Sequence, residues 1–210
     1  MAPTNVFVAG SRKISRLPAA VKQRIDTIID KGFQILVGDA NGADRAFQQY
    51  LADKAYRNVL VHCMENGCRN NVGQWPSRQI EAPRGSRGFD YYSIKDTAMS
   101  EVAEFGLMLW DGRSKGTINN IVNLSRRRRP VVVYVAPKKS FQTVRSMKNL
   151  LEILAKGDPK CVERLADELN LSIPTGSIAC VAAGTASVQM KEPPHSQHTS
   201  RHSALVPHDA

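Results

Sequence analysis

The stretch LMLWDGRSKGTINN, residues 107–120, places an apolar run directly before a basic, glycine-containing turn. A short apolar run bounded by turn residues is typical of a buried strand. The residues after the turn, GTINNIVNLSRRRR (116–129), have the apolar spacing of a helix. Strand, turn and helix in this order form the repeating unit of an α/β sheet. The turn itself either binds an anion or only reverses the chain.

The same unit recurs along the first two thirds of the chain. Four helical segments, near 18–31, 42–51, 91–104 and 116–129, separate five apolar runs that we interpret as strands: 5–10, 33–39, 58–64, 105–111 and 130–137. Parallel neighbours need helical crossovers, which are right-handed. The pattern predicts an α/β fold, a Rossmann-like five-stranded parallel sheet of order 3-2-1-4-5 with helices on both faces.

The chain divides into three predicted parts. Residues 1–137 form the predicted Rossmann-like domain, and 138–173 form a small helical extension, a hairpin of two amphipathic helices broken near Gly157. Residues 174–210 form a weakly structured to disordered tail that contains four of the five histidines. Within the first domain, the segment 65–90 is rich in Gly, Asn, Arg and Pro, and a stretch of this length and composition is usually functional or disordered.

Composition limits the classes of protein. Hydrophobic residues make up 42% of the chain, enough for a core, but no run reaches the roughly 18 residues of a membrane span. The amino terminus lacks the pattern of an export signal, so we expect a cytoplasmic protein with free thiols at its four cysteines. His62, Cys63 and Cys68 lack the spacing of a zinc site, and no metal is predicted. The net charge of +10 favours an anionic partner.

Three turns follow strands that meet where the predicted strand order reverses. They are GSR (10–12), GDANGAD (38–44) and WDGRSKGT (110–117), and each precedes a helix whose amides can face an anion. Ligands of open α/β sheets bind at this point. Each turn alone is more often only a turn, but together they predict a nucleotide or phosphate site formed by Gly10, Ser11, Arg12, Gly38, Asp39, Asn41, Gly42, Asp111, Gly112, Ser114, Lys115, Gly116 and Thr117.

Acidic residues at this edge are candidates for other roles. Asp39 and Asp44 bracket the second turn, where carboxylates commonly accept hydrogen bonds from ribose hydroxyls. Asp44 could equally be a first-turn helix residue favoured by the helix dipole. Asp96, beside Lys95, could act as a general base or pair with a basic neighbour.

A run of four arginines, Arg126, Arg127, Arg128 and Arg129, ends the fourth predicted helix. It is therefore expected at the opposite edge of the sheet from the three turns. Basic side chains are favoured at a helix carboxyl terminus, and the same residues could contact nucleic acid or a partner protein.

The motifs FVAGSR, VGDANGADRAFQQYLA and IKDTAM…GLMLWDGRSKGTINNI resemble the YspA-like, YpsA-related branch of the SLOG superfamily. That superfamily also contains the LOG phosphoribohydrolases and the DNA-processing protein DprA. The resemblance covers roughly residues 5–137. It implies a Rossmann-like fold that binds a nucleotide or nucleotide derivative at the edge described above.

The LOG relatives imply a chemistry, hydrolysis of the N-glycosidic bond of a nucleoside 5′-monophosphate. Matching Met99 to the Met on the corresponding helix of those enzymes places Lys95 and Asp96 on their Arg-Lys pair. Gly112, Gly116 and Thr117 match their phosphate-binding turn, which is two residues longer here. Asn120, however, stands where those enzymes have a Glu, and a neutral amide cannot take a proton at neutral pH. If this chain hydrolyses a nucleotide, Asp96, Asp44 or Asp111 must supply the carboxylate.

The sequence therefore favours a cytoplasmic nucleotide-binding or sensing protein that requires no cofactor. The alternatives are an N-glycosidase that uses Asp96, Lys95 and Asp44, and a DNA- or RNA-binding protein that uses the four arginines. A homo-oligomer is compatible with all three. The extension resembles only the first helix of a helix-turn-helix, without a convincing recognition helix.

Overall fold

The structure, a computed structural model, describes residues 4–168. Its seven strands are β1 (Asn5–Gly10), β2 (Gln34–Gly38), β3 (Val59–Met64), β4 (Ser77–Ile80), β5 (Phe105–Trp110), β6 (Val131–Val135) and β7 (Ser140–Val144). Its six α-helices are α1 (Ala19–Asp30), α2 (Ala43–Asp53), α3 (Gly88–Val102), α4 (Lys115–Arg126), α5 (Met147–Leu154) and α6 (Pro159–Glu168). A short 3-10 turn, Ala136–Lys138, joins β6 to β7. The predicted tail (174–210), with its histidines, and Cys180 lie outside the described residues.

The strands form one sheet of order β4-β3-β2-β1-β5-β6-β7, in which only the β6–β7 pair is antiparallel. The α/β class and the order of the five predicted strands are confirmed. The predicted number of strands was wrong, because the sheet has seven strands rather than five. β4 is a largely exposed edge strand with the polar sequence SRQI, so it lacks the apolar signal of a buried strand. β7 occupies the first residues of the predicted extension, where a helix was expected.

Helices cover both faces of the sheet, as the alternation of side chains along the strands requires. Val6 and Val8 of β1 belong to a buried cluster with side chains of α1 and α2. Phe7 and Ala9 point to the other face and belong to a cluster with α3, α4 and α5. Strands buried on both faces read as continuous apolar runs, which is why β1 and β5 are visible in the sequence.

A disulfide joins Cys63, at the end of β3, to Cys68. The prediction of free thiols is wrong for this pair. The turn between them contains Gly67 with a φ of +89°, and it brings the two Cα atoms within 5.0 Å. The disulfide therefore closes this turn covalently just before Arg69.

No described helix is long and apolar enough to span a bilayer.

Gly10 sets how closely three elements meet at the end of the central strand. A Cβ atom added there would lie 2.5 Å from the carbonyl oxygen of Leu109 and 2.8 Å from the Cβ of Ala43. Both distances are shorter than real Cβ contacts, and the nearer atom is backbone. Gly10 therefore allows β5 and the start of α2 to approach β1 where the strand order reverses.

We expect Gly10→Ala to destabilise the protein by about 1–3 kcal/mol, because the added methyl forces β1 and β5 apart. Gly116→Ala is the matched control, since a Cβ there meets nothing within 4 Å. Urea unfolding of both variants measures the difference. Equal stability of the two variants would contradict the close approach described for Gly10.

Candidate functional site

A cleft of about 670 Å³ opens at the carboxyl edge of the sheet, between the loops after β1 and β5 and the first turns of α3. The structure brings most of the predicted residues to its walls: Gly10, Ser11, Arg12, Asp44, Lys95, Asp96, Asp111, Ser114, Lys115, Gly116 and Thr117. The other predicted residues lie outside this lining: Gly38, Asp39, Asn41, Gly42 and Gly112. Their contribution is to the loops around the cleft.

Asp111 ties the two central loops together. Its Oδ1 accepts hydrogen bonds from the backbone amides of Arg113 (3.1 Å) and Ser114 (2.8 Å). Its Oδ2 accepts a hydrogen bond from the hydroxyl of Ser11 at 2.8 Å. Burial alone would raise the pKa of Asp111, but these hydrogen bonds outweigh it and hold the pKa below its usual value. Asp111 thus shapes the turn that precedes α4.

The wall around that turn is cationic. α4 is a twelve-residue helix that starts at Lys115, and the positive end of its dipole faces the cleft. The hydroxyls of Ser114 and Thr117 lie 2.7 Å apart at its first turn. The lining also contains five basic side chains near this turn: Arg12, Lys13, Arg113, Lys115 and Arg164. An anion placed here meets amides, hydroxyls and positive charge together.

The floor of the cleft contains a buried lysine among carboxylates. Lys95 is 3% exposed, and its Nζ lies 2.7 Å from Asp96 Oδ1 and 4.0 Å from Asp39 Oδ1. Burial opposes the charge of Lys95, but the attraction of Asp96, Asp44 and Asp39 raises its pKa. A Cβ at Gly38 would lie 2.5 Å from Asp44 Oδ2 and 2.9 Å from Lys95 Nζ. Gly38 therefore leaves the space that these charges occupy.

Asp44 is the carboxylate of this cluster that the structure stabilises least as an anion. It is 6% exposed and accepts one backbone hydrogen bond, from the amide of Ala40 at 3.3 Å. Burial raises its pKa to about 7, although Lys95 acts in the opposite direction. Asp44 therefore exchanges a proton near neutral pH, next to an ammonium group that remains charged.

Asp39 contacts a protein side chain through both of its oxygens. The Arg69 guanidinium donates to Oδ1 at 2.6 Å and to Oδ2 at 3.0 Å, and the Arg69 amide also donates to Oδ2 at 3.0 Å. Burial alone would raise the pKa of Asp39, but the hydrogen bonds from Arg69 lower it. The role suggested for Asp39 in holding ribose remains a prediction. In this structure its carboxylate fixes Arg69 in the cleft wall.

Asn120 has a neutral amide at a position where a carboxylate was expected, but it lies next to the carboxylate of Asp96. With its amide nitrogen turned toward its acceptors, it lies 3.3 Å from Asp96 Oδ2 and 3.3 Å from the carbonyl oxygen of Gly116. Asp96 therefore meets Lys95 through one oxygen and Asn120 through the other. A carboxylate is present beside this position, but it comes from α3 rather than α4.

Several cleft residues come from irregular or distant segments and were not predicted from the sequence. Arg69, Phe89, Tyr92 and Arg164 line the cleft. The sequence pattern predicts a helix that starts at Tyr91, whereas α3 starts at Gly88 and therefore includes Phe89. The basic and aromatic residues of the segment 65–90 were the available signal, and their contacts with the cleft depend on the fold.

The helical extension contacts the β5–α4 turn. The amide of Asp158 donates to the carbonyl of Gly112 at 3.2 Å, and its carboxylate pairs with Arg113 at 3.0 Å. These contacts bring α6 close enough for Arg164 to line the cleft. The extension was predicted only as a packing hairpin, and its boundary at residue 137 stays a prediction.

The four arginines lie at the other end of α4, at the opposite edge of the sheet, and are absent from the described cleft lining. Arg127 donates to the carbonyl of Asn123 and pairs with Glu101 at 3.2 Å. Their proposed contact with nucleic acid stays a prediction.

The described residues contain no cluster of three or more His, Cys, Asp or Glu side chains able to hold a metal.

Comparison with solved structures gives a structural neighbour at low sequence identity. The chain is similar to DNA processing protein A from Helicobacter pylori. The solved structure of that protein describes how it binds single-stranded DNA. The identity is 14%, 80% of each chain is covered, and the TM-score is 0.49. No protein-family model and no curated protein matches the chain. The resemblance to the SLOG superfamily beyond the Rossmann-like architecture stays a prediction.

The raised pKa of Asp44 predicts a specific dependence of stability on pH. Between its usual value of 3.8 and about 7, the folded protein holds a proton that the unfolded chain has released. The contribution of Asp44 to stability therefore falls as the pH rises through this window. We expect Asp44→Asn to gain stability relative to the wild type by on the order of 1 kcal/mol per pH unit.

Urea unfolding at several pH values between about 4.5 and 7.5 measures the difference in unfolding free energy between Asp44→Asn and the wild type. This range is roughly the window in which the linkage relation predicts the effect. Asp53→Asn, on the exposed side of the same helix, controls for the loss of a carboxylate. A stability difference between Asp44→Asn and wild type that stays constant with pH would contradict the raised pKa.

Proposed function

We propose that this cleft binds a nucleotide or a nucleotide derivative. The observation that carries the proposal is the pairing, in one cleft, of a cationic wall at the start of α4 with a carboxylate cluster on the floor. The wall suits a phosphate group, and the floor suits the hydroxyl groups of a sugar. A volume of about 670 Å³ lies within the usual range for small-molecule sites.

The phosphate end is formed by the loops that Asp111 joins. Ser11 and Thr117 are buried with their hydroxyls at this edge, and Lys115 and Arg12 supply charge. The first amides of a helix have no carbonyl partner within the helix, so they are available to phosphate oxygens. Asp111 is already satisfied by the loops, so its negative charge is partly compensated by three donors.

The hydroxyl end is formed by Asp96, with Asp44 beside it. Carboxylate oxygens are acceptors, and the cluster retains acceptor capacity after the contacts with Lys95 and Asn120. Lys95 offsets part of the negative charge, so that a ligand carrying phosphate is not repelled. The proposed ligand spans the cleft from the α4 turn to α3.

Lys115→Met is expected to lower the affinity for AMP by roughly 10-fold, because it removes a charge from the phosphate wall. Isothermal titration calorimetry of the full chain with AMP measures this change in affinity. Arg126→Met is the matched control, an exposed cation at the other end of the same helix. Equal losses in both variants would contradict this location. Binding of single-stranded DNA that only the Arg126 variant weakens would instead support the nucleic-acid alternative.

A second candidate is hydrolysis of the N-glycosidic bond of the bound nucleotide, and the contact between Asn120 and Asp96 favours it. The amide of Asn120 orients Asp96 Oδ2, and Lys95 holds Oδ1. A carboxylate fixed in this way can stabilise positive charge that develops on the sugar. Water adds to the anomeric carbon as the carbon–nitrogen bond breaks, and the base leaves with a proton. Asp44, with its pKa near neutrality, is placed to exchange protons at the cleft floor.

Incubation with nucleoside monophosphates and NAD, followed by chromatography of free base, tests this candidate. We expect Asp96→Asn to lower the rate of base release by roughly 100-fold or more, in line with the loss of a general acid–base group. Asn120→Ala should lower it less, because Lys95 still holds Asp96. Release that neither Asp96→Asn nor Asp44→Asn changes would exclude this assignment. Tight binding without release would leave binding as the function.

A further inference from the structure

One side of α3 forms a continuous stripe along the cleft. Phe89, Tyr92, Ser93 and Asp96 are spaced at i, i+3, i+4 and i+7, and all four line the cleft. Residues at this spacing share one face of a helix. The stripe starts with two aromatic rings in the first turns of α3 and ends with the carboxylate beside Lys95. The two rings are not used by the phosphate or hydroxyl contacts proposed above.

Both rings are exposed to the cleft and stand next to cations. Tyr92 is 39% exposed and Phe89 is half-buried. Lys115 Nζ lies 4.3 Å from the centre of the Phe89 ring, and Arg69 Cζ lies 4.4 Å from the centre of the Tyr92 ring. These are cation–π distances. Aromatic rings and guanidinium groups exposed in a cleft are also the groups on which a flat heterocycle stacks.

The Tyr92 ring has two neighbours that limit its movement. It packs against Tyr91 in a T-shaped pair, with 5.1 Å between ring centres and planes at 83°. It also contacts Arg69, which is fixed by its paired hydrogen bonds to Asp39. A ring held by its neighbours loses little conformational freedom when a ligand stacks on it. Tyr92 is therefore preorganised as part of the wall.

Lys115 connects this aromatic surface to the phosphate wall. It is the first residue of α4, and its ammonium group lies over Phe89. The aromatic and cationic surfaces therefore adjoin, and Asp96 lies on the same helix as the rings. A compound in which a flat base, a sugar and a phosphate are joined matches the three surfaces in this arrangement.

We propose that Phe89 and Tyr92 bind the aromatic base of the ligand, and that the site therefore selects nucleoside phosphates over sugar phosphates without a base. This inference rests on the proposed function. The two rings determine specificity through stacking, and every nucleobase can stack on an aromatic ring. The site is therefore expected to prefer ligands that contain a base, without discriminating between different bases.

Isothermal titration of the full chain with AMP, UMP and ribose 5-phosphate tests the inference. Phe89→Leu and Tyr92→Leu remove the rings but keep apolar side chains. We expect each to lower the affinity for AMP and UMP roughly 10-fold, the scale of one lost stacking contact, while the affinity for ribose 5-phosphate stays within about 2-fold. Phe89→Tyr keeps a ring and should retain the affinity for AMP.

Phe105→Leu is the matched control, since Phe105 is 43% exposed at the start of β5 and lies outside the cleft lining. Urea unfolding confirms that each variant is folded at the titration temperature. Equal losses for AMP and ribose 5-phosphate, or no loss for AMP, would overturn the inference and leave the phosphate site standing. A wild-type protein that binds none of the three compounds would overturn the proposed function, and this inference with it.

Discussion

The rest of the cleft depends on the ion pairs of Lys95, a buried residue of α3, with Asp96 and Asp39. An ammonium group removed from water must be compensated, and here carboxylates compensate it. Asp39 extends the network to Arg69 and so to the Tyr92 ring. Asp96 extends it to Asn120 and the first turn of α4. The residues that position the aromatic wall and the residues that position the carboxylate are therefore parts of one electrostatic network, and a change at its centre reaches both walls.

The sequence predicted the parts of the fold that have a strong local signal. β1 and β5 are almost entirely apolar because both of their faces are buried. The turn after β5 contains Gly112 and Ser114, residue types that are common in turns between a strand and a helix. β4 was missed because an edge strand needs no apolar face, and SRQI has almost none. Phe89 and Arg69 were missed as cleft residues because their roles come from long-range contacts, with Lys115 and Asp39, that periodicity does not encode.

Asn120 illustrates how alignment by position and assembly in space can differ. Position alone indicated that the carboxylate of the LOG enzymes is absent, and this weakened the case for hydrolysis. In the folded chain the amide of Asn120 approaches Asp96, so that a carboxylate from α3 lies beside the position where a Glu was expected. What a site can do depends on the groups that converge in space, whichever element contributes them. The missing Glu therefore does not by itself distinguish a binding protein from an enzyme.

The contact between α6 and the β5–α4 turn has a consequence for how the protein is made. The cleft lining runs from Ala9 to Arg164, so its first and last residues leave the ribosome far apart in time. The parallel strands β1 to β6 can pair while the extension is still being translated, since domains form from the amino terminus during synthesis. The lining of the cleft is then completed last, when the nascent chain folds back onto Gly112 and Arg113.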